Sequence, residues 1–176
     1  CIAAKRFIVH RDVADAFTAG VADIFKKLVV GDPRDPATNV GPLATEQMAR
    51  DIEKQVSESV AQGAQVITGG KRSARDGYFY EPTVLAGVKK GMPVYDEEVF
   101  GPVIAIITVA NDDEAIVVAN DTPYGLGSTI FTRDMARAKR LIPLIAAGAV
   151  FVNGQVKSDP RMPFGGIKKS GYGREL

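Results

Sequence analysis

The almost uninterrupted apolar run Val103–Val109 constrains the fold of this 176-residue chain more than any other feature of its sequence. A run of β-branched and aliphatic residues is typical of a strand buried on both faces, as in a parallel sheet between helices. Helix and strand patterns then alternate over residues 111–120, 128–132, 134–147 and 149–152. The sequence therefore predicts an α/β fold, with an open, twisted, mostly parallel sheet and helices on both faces.

The N-terminal part shows the same alternation. Residues 5–10 are predicted as a strand, followed by a helix that begins near Asp12. A second helix is predicted over residues 45–62, with Gly63 as its C-terminal cap, from apolar side chains at spacings of four: Met48, Ile52, Val56 and Val60. In the helix predicted over residues 134–147, Pro143 is expected to cause an interruption. His10 is interpreted as a surface histidine without a catalytic role.

Composition and charge exclude several classes of function. Lys plus Arg number 22 against 21 Asp plus Glu, and a net charge of +1 is too small for the phosphate-neutralising field of a nucleic-acid-binding protein. One cysteine and one histidine supply neither a disulfide framework nor a zinc ligand set, so no metal is predicted and a cytoplasmic location is favoured. The longest apolar stretches fall short of the roughly 20 residues that cross a bilayer, so no membrane partner is predicted.

Cys1 is the candidate for covalent chemistry. A lone thiol is either a packing residue or a strong nucleophile. No methionine precedes it, so the natural protein is expected to continue upstream. If Cys1 were instead a true terminus, an N-terminal-cysteine hydrolase that uses its own α-amine as base would be an alternative. Two glycine-rich runs, 125–127 and 166–170, fail the dinucleotide and P-loop patterns respectively.

Three motifs bear on this choice. Residues 97–102, Glu-Glu-Val-Phe-Gly-Pro, resemble the Glu-Glu-x-Phe-Gly-Pro motif of the aldehyde dehydrogenase superfamily. Residues 1–6 resemble the stretch that begins at that family's catalytic cysteine, and residues 163–175 resemble its C-terminal glycine-rich signature. The three matches occur in the family's order and extend over essentially the whole chain.

The resemblance implies an activity and a site. It implies an NAD- or NADP-dependent oxidoreductase in which Cys1 attacks an aldehyde and forms a thiohemiacetal, then a thioester that water hydrolyses to the acid. By the same resemblance, Glu98 accepts hydrogen bonds from the nicotinamide ribose and Phe100 packs near the nicotinamide ring. The backbone N–H of Cys1 is implied as part of the oxyanion site.

The substrate follows from a closer resemblance. Residues 1–10, 31–33 and 170–176 are most similar to the succinate-semialdehyde dehydrogenase branch of the family. In that branch a serine helps to bind the substrate carboxylate, and Ser158 lies at the matching distance before residues 163–166. Ser158 is therefore predicted to bind succinic semialdehyde, with an ordinary loop serine as the alternative. Lys157 and Arg161 are expected to add positive charge.

The resemblance also predicts the organisation of the protein. Residues 1–150 are expected to form the cysteine-bearing catalytic domain, and residues 151–176 the substrate-entrance loop and the glycine-rich segment leading to an oligomerisation tail. The N-terminal nucleotide-binding half, the general-base glutamate and the oxyanion asparagine have no counterpart in the chain. The parent enzyme is expected to be a homodimer or homotetramer.

The chain alone is consequently expected to be inactive. We expect it to bind NAD weakly or not at all, because most of the cofactor's contacts belong to the missing half. A dehydrogenase assay on the 176 residues should give no NADH. An inactive structural or assembly role is the non-enzymatic alternative.

Overall fold

The computed structural model describes residues 3–176 and contains two compact units, Lys5–Thr108 and, with residues 3 and 4, Val109–Leu176. The first unit holds most of the helical residues and a four-stranded sheet, and its elements are β1 (Arg6–His10), α1 (Arg11–Phe25), α2 (Glu46–Ala61), β2 (Gln65–Thr68), β3 (Thr83–Ala86), α3 (Pro93–Asp96) and β4 (Val103–Val109). The predicted division after residue 150 separates segments by proposed role rather than by compactness, and it stays a prediction.

The sheet of the first unit has the order β1-β4-β3-β2. β3 and β4 are parallel, with Thr83 opposite Val103 and Leu85 opposite Ala105, whereas β2 runs antiparallel to β3. Every residue of β4 except Thr108 is buried. The prediction that this run is a strand buried on both faces, paired in parallel, is confirmed, and so is the α/β class.

Helix α1 packs on this sheet and forms one hydrophobic core cluster with it. Its buried side chains come from α1 and from three strands of the sheet, and they include Val9, Ala14, Val84 and Ile106. Helix α1 begins one residue before the predicted start, because the side chain of His10 acts as its N-cap. His10 Nδ1 accepts a hydrogen bond from the backbone N–H of Asp12 at 3.3 Å. The histidine that was interpreted as a plain surface residue thus has a structural role.

The bounds of α2 agree with the sequence prediction. The hydroxyl of Thr45 caps its start by accepting the N–H of Met48, and Gly63 follows its end with a φ of 106°. The predicted buried face is wrong at one position: Val60 is 38% exposed, whereas Ser59 is fully buried. Steps of four residues rotate by about 40° per step around a helix of 3.6 residues per turn, so the series that begins at Met48 leaves the core.

The second unit has two small sheets. Its elements are α4 (Asp112–Asn120), β5 (Tyr124–Gly125), β6 (Gly127–Ile130), α5 (Met135–Leu141), a 3₁₀ turn (Ile142–Leu144), β7 (Ala149–Val152) and β8 (Ile167–Lys168). β6 and β7 are parallel, and β5 and β8 are antiparallel. The change from α5 to the 3₁₀ turn confirms the interruption at Pro143.

The glycine-rich C-terminal segment is folded onto its own unit. β8 pairs with β5, and the backbone groups of Phe164 and Glu175 bond to each other in both directions, at 2.9 and 2.7 Å. The guanidinium of Arg174 donates to the Gly166 carbonyl at 3.0 Å. The segment is therefore held by strand pairing and by carbonyl contacts rather than by a core of its own.

Within residues 3–176, none of the helices has both the length and the apolar character needed to cross a membrane.

Candidate functional site

A groove of about 330 Å³ in the first unit contains two of the residues that the sequence singled out. One wall is a face of α2 that carries Asp51 and Gln55, and the other is the segment that carries Glu98 and Phe100. Hydrogen-bonding and aromatic groups thus face a shared open space. The groove provides an anionic acceptor and an aromatic surface on the same side.

The segment after α3 has one buried residue between these two exposed side chains. α3 is a single turn that begins at Pro93, and its C-cap Glu97 is extended, with φ −107° and ψ 161°. Val99 is 3% exposed, whereas its neighbours Glu98 and Phe100 are exposed. Val99 therefore anchors the segment in the core, and Glu98 and Phe100 on either side of it both line the groove.

Gly101 explains part of the motif that ends this segment. A Cβ atom at this position would overlap the Cδ1 atom of Ile52 on α2 and would lie 3.4 Å from Leu43. The residue after Phe100 therefore lies so close to α2 that a side chain there would displace the buried side chain of Ile52. The sequence motif Phe-Gly-Pro is thus tied to the packing of the segment against α2.

Lys5 lies beside both Phe100 and Glu98. Its Nζ atom is 5.5 Å from the centroid of the Phe100 ring, within the range of a cation–π contact. Partial burial lowers the pKa of Lys5 from its usual value, and the negative charge of Glu98 partly offsets this shift. Sequence analysis placed Lys5 in a predicted strand and in the motif over residues 1–6, and no sequence pattern connects it with residues almost a hundred positions away.

Two polar residues of α2 contact the segment that carries Glu98, and the sequence analysis predicted neither contact. Gln55 Nε2 donates to Glu97 Oε2 at 2.8 Å and to the carbonyl oxygen of Glu98 at 3.3 Å. One turn later, the buried hydroxyl of Ser59 accepts the N–H of Val94 at 3.2 Å. One sequence signal could have pointed to them: Gln55 and Ser59 are four residues apart, so they lie on the same face of the helix.

Ser158 belongs to the second unit and is exposed there. It lies in the loop after β7, whose start is held by Asn153: the Asn153 carboxamide exchanges two hydrogen bonds of 2.9 Å with the backbone of Thr132. Cys1 lies outside the described residues. The structure thus brings together Glu98 and Phe100 within one unit and places Ser158 in the other.

An ion pair next to Ser158 changes the predicted charge of this loop. Arg161 donates to both carboxylate oxygens of Asp159, at 2.9 and 2.7 Å. This contact lowers the pKa of Asp159 to about 2. Arg161 was expected to add positive charge, but Asp159 neutralises it, so Lys157 is the uncompensated cation of the Lys157–Arg161 stretch.

The chain is similar over its whole length to curated succinate-semialdehyde dehydrogenases. It is 53% identical over all 176 residues to succinate-semialdehyde dehydrogenase (NADP+) 1 of Mycobacterium bovis and covers 38% of that protein. It is 54% identical to succinate-semialdehyde dehydrogenase (NADP+) of Mycolicibacterium paratuberculosis and covers 37% of it. The chain thus spans little more than a third of the length of these curated relatives.

Solved structures agree with these relatives and with the fold. Succinic semialdehyde dehydrogenase from Streptococcus pyogenes in complex with NADP+ matches the whole chain with a TM-score of 0.94 and 43% identity, over 39% of its own length. Betaine aldehyde dehydrogenase from Staphylococcus aureus in complex with NAD+ matches with a TM-score of 0.94 and 36% identity, over 36% of its length. The sequence model described as the aldehyde dehydrogenase family matches residues 1–176, so the chain belongs to the aldehyde dehydrogenase family.

Proposed function

We propose that this chain is the cysteine-bearing part of an NAD(P)-dependent enzyme that oxidises succinic semialdehyde to the corresponding acid. The observation that carries the proposal is the groove in which Glu98 and Phe100 face the same side, within a chain that matches the family over its whole length. The Mycobacterium bovis relative and the Streptococcus pyogenes structure are named as dehydrogenases of this aldehyde. The Streptococcus pyogenes and Staphylococcus aureus structures contain NADP+ and NAD+ respectively. Whole-chain family membership gives no support to the N-terminal-cysteine hydrolase alternative.

The groove fits one part of a nicotinamide cofactor. The exposed carboxylate of Glu98 offers acceptors for the two hydroxyls of a ribose. The ring of Phe100, 63% exposed, offers an apolar surface for a flat heterocycle. When bound, the nicotinamide supplies the hydride acceptor. The chain's own residues orient it: Glu98 binds the ribose, and Phe100 limits the tilt of the ring.

Cys1 is the nucleophile of the proposed reaction. Its thiolate adds to the aldehyde carbon and produces an oxyanion, from which hydride leaves readily. The thioester that remains on Cys1 is hydrolysed by water to the carboxylic acid. The general base and the other part of the oxyanion site are expected from the remainder of the full-length protein.

The direct test of this function is a comparison of aldehydes. The full-length protein should oxidise succinic semialdehyde with a higher kcat/KM than benzaldehyde or betaine aldehyde, and NADP+ and NAD+ should be compared as acceptors. Faster oxidation of benzaldehyde than of succinic semialdehyde at equal concentration would contradict the substrate assignment. Complete absence of aldehyde oxidation would favour the structural or assembly role instead.

Glu98→Gln is expected to weaken cofactor binding in the full-length protein. The neutral amide keeps one acceptor but loses the charge that strengthens both ribose hydrogen bonds, which is worth about 1.5 kcal/mol or roughly tenfold in affinity. The KM for NADP+ or NAD+ should rise by about this factor, measured at saturating aldehyde. Glu53→Gln, at an exposed position of α2 outside the groove, is the control and should leave this KM unchanged.

Asp159→Asn is expected to favour a carboxylate-bearing aldehyde. The pKa of Asp159 is lowered to about 2 from an ordinary 3.8, so its ion pair is complete above about pH 4 and is lost only as the pH falls through 2. Near neutral pH the substitution therefore releases the charge of Arg161. The KM for succinic semialdehyde should fall about two- to fivefold at low salt, with a smaller change at high salt.

Butanal serves as the matched neutral substrate for this variant. Its KM should not change, because it carries no carboxylate for Arg161 to attract. Equal changes for both aldehydes would show that the loop acts by shape and not by charge.

A further inference from the structure

Helix α2 holds the segment 93–98 at both of its ends. At the start, Ser59 Oγ donates to the Gln55 carbonyl oxygen at 2.7 Å and accepts the N–H of Val94 at 3.2 Å. Val94 is in the first turn of α3, where backbone N–H groups have no partner within the helix. Ser59 is fully buried, so its hydroxyl supplies a hydrogen bond that water would otherwise provide.

Gln55 holds the other end of the segment. Its carboxamide donates to the side chain of Glu97 and to the backbone of Glu98 across more than forty residues of sequence. Bonds to a carboxylate are stronger than bonds between neutral groups. Both contacts come from one nitrogen, so the position of the Glu98 backbone is linked to the binding of Glu97.

The contact also distinguishes two adjacent carboxylates. Glu97 and Glu98 are both exposed and both line the groove. Gln55 engages the carboxylate of Glu97 and the backbone, not the carboxylate, of Glu98. The carboxylate of Glu98, which Gln55 does not bind, lines the groove next to Phe100 and Lys5.

We propose that Gln55 is a positioning residue for the nicotinamide half of the cofactor, acting through the backbone of Glu98. This inference rests on the proposed function of Glu98 as the ribose ligand. Without the carboxamide, the segment keeps the buried Val99 as an anchor but loses the restraint next to Glu98. The ribose and the ring then meet a carboxylate and a phenyl group whose positions vary more, which reduces affinity through the cost of ordering them.

The test compares two ligands in the full-length protein with Gln55→Ala. NADP+ contains the nicotinamide ribose, whereas its adenosine bisphosphate half does not. Calorimetry should show about tenfold weaker binding of NADP+ and unchanged binding of adenosine bisphosphate, with an unchanged KM for succinic semialdehyde. Gln65→Ala, the same change at an exposed position of β2, should leave both affinities as in the wild type. Parallel weakening of both ligands, or of neither, would overturn the positioning role.

A second comparison separates this inference from the function on which it rests. If Gln55 acts through Glu98, then Gln55→Ala should weaken NADP+ binding by a smaller factor in the Glu98→Gln background than in the wild type. Independent, additive losses would contradict the inference. If Glu98→Gln itself leaves NADP+ affinity unchanged, the proposed function of Glu98 fails. If Glu98→Gln weakens NADP+ and Gln55→Ala does not, only the role of Gln55 fails.

Discussion

Cys1→Ala is expected to lower the kcat for aldehyde oxidation in the full-length protein by about 10⁴-fold or more. Hydride does not leave readily from a hydrated or free aldehyde carbon, and the thiolate adduct supplies the oxyanion that makes its departure possible. Alanine removes the nucleophile and no other thiol exists in these 176 residues. The measurement is NADPH formation at saturating succinic semialdehyde and NADP+.

Two controls identify the cause of that loss. Cofactor affinity of Cys1→Ala should equal that of the wild type, because the substitution leaves Glu98 and Phe100, the residues proposed to bind the cofactor, unchanged. Cys1→Ser should also be strongly impaired, since a serine hydroxyl ionises far less readily than a thiol. Alkylation of the wild-type protein should abolish activity as the peptide containing Cys1 becomes labelled. Retention of more than about a tenth of kcat by Cys1→Ala would refute the assignment of the nucleophile.

Gly148→Ala is expected to lower the free energy of unfolding by about 3 kcal/mol or more. A Cβ atom at Gly148 would overlap the carbonyl oxygen of Gly165 and would lie 2.8 Å from its carbonyl carbon and 3.0 Å from Leu126 O. These are backbone atoms, so no side-chain rotation relieves the overlap. Gly165 belongs to the glycine-rich segment, whose pairing between β5 and β8 would be displaced as well.

Gly154→Ala is the matched control for this prediction. A Cβ atom at Gly154 meets only Val152 O, at the ordinary contact distance of 3.8 Å. Its free energy of unfolding should stay within about 0.5 kcal/mol of the wild type. Denaturant unfolding of the two variants, followed by circular dichroism, gives the comparison. Equal stability of Gly148→Ala and Gly154→Ala would show that the backbone near Gly165 can shift without cost.

Local signals predicted many elements of the fold correctly. The Thr45 cap and Gly63 mark the ends of α2 within one residue, because capping involves neighbours in sequence. The apolar run of β4 and the break at Pro143 are equally local. The antiparallel direction of β2 was not predicted, since it depends on the path of the chain between Thr68 and Thr83. The assignment of Val60 to the core failed because a regular spacing of four was treated as one helical face.

Some residues of the candidate site could likewise be predicted from local sequence, and others could not. The motif over residues 97–102 named Glu98 and Phe100 as candidates. The ion pair between Asp159 and Arg161, two residues apart, was accessible to the same local reasoning but was not predicted. Gln55 and Lys5 were not accessible, because their contacts with the segment join residues 42 to 95 positions apart.

The sequence by itself determined the α/β class, the family motifs and the identities of Cys1, Glu98, Phe100 and Ser158 as candidates, because each rests on local periodicity or on residues close together along the chain. Only the tertiary structure decided which helix holds the Glu98 segment and which of two adjacent glutamates has its carboxylate bound by Gln55. The physical reason is that hydrogen bonds and packing depend on distance in space, and distant residues meet only when the chain has folded.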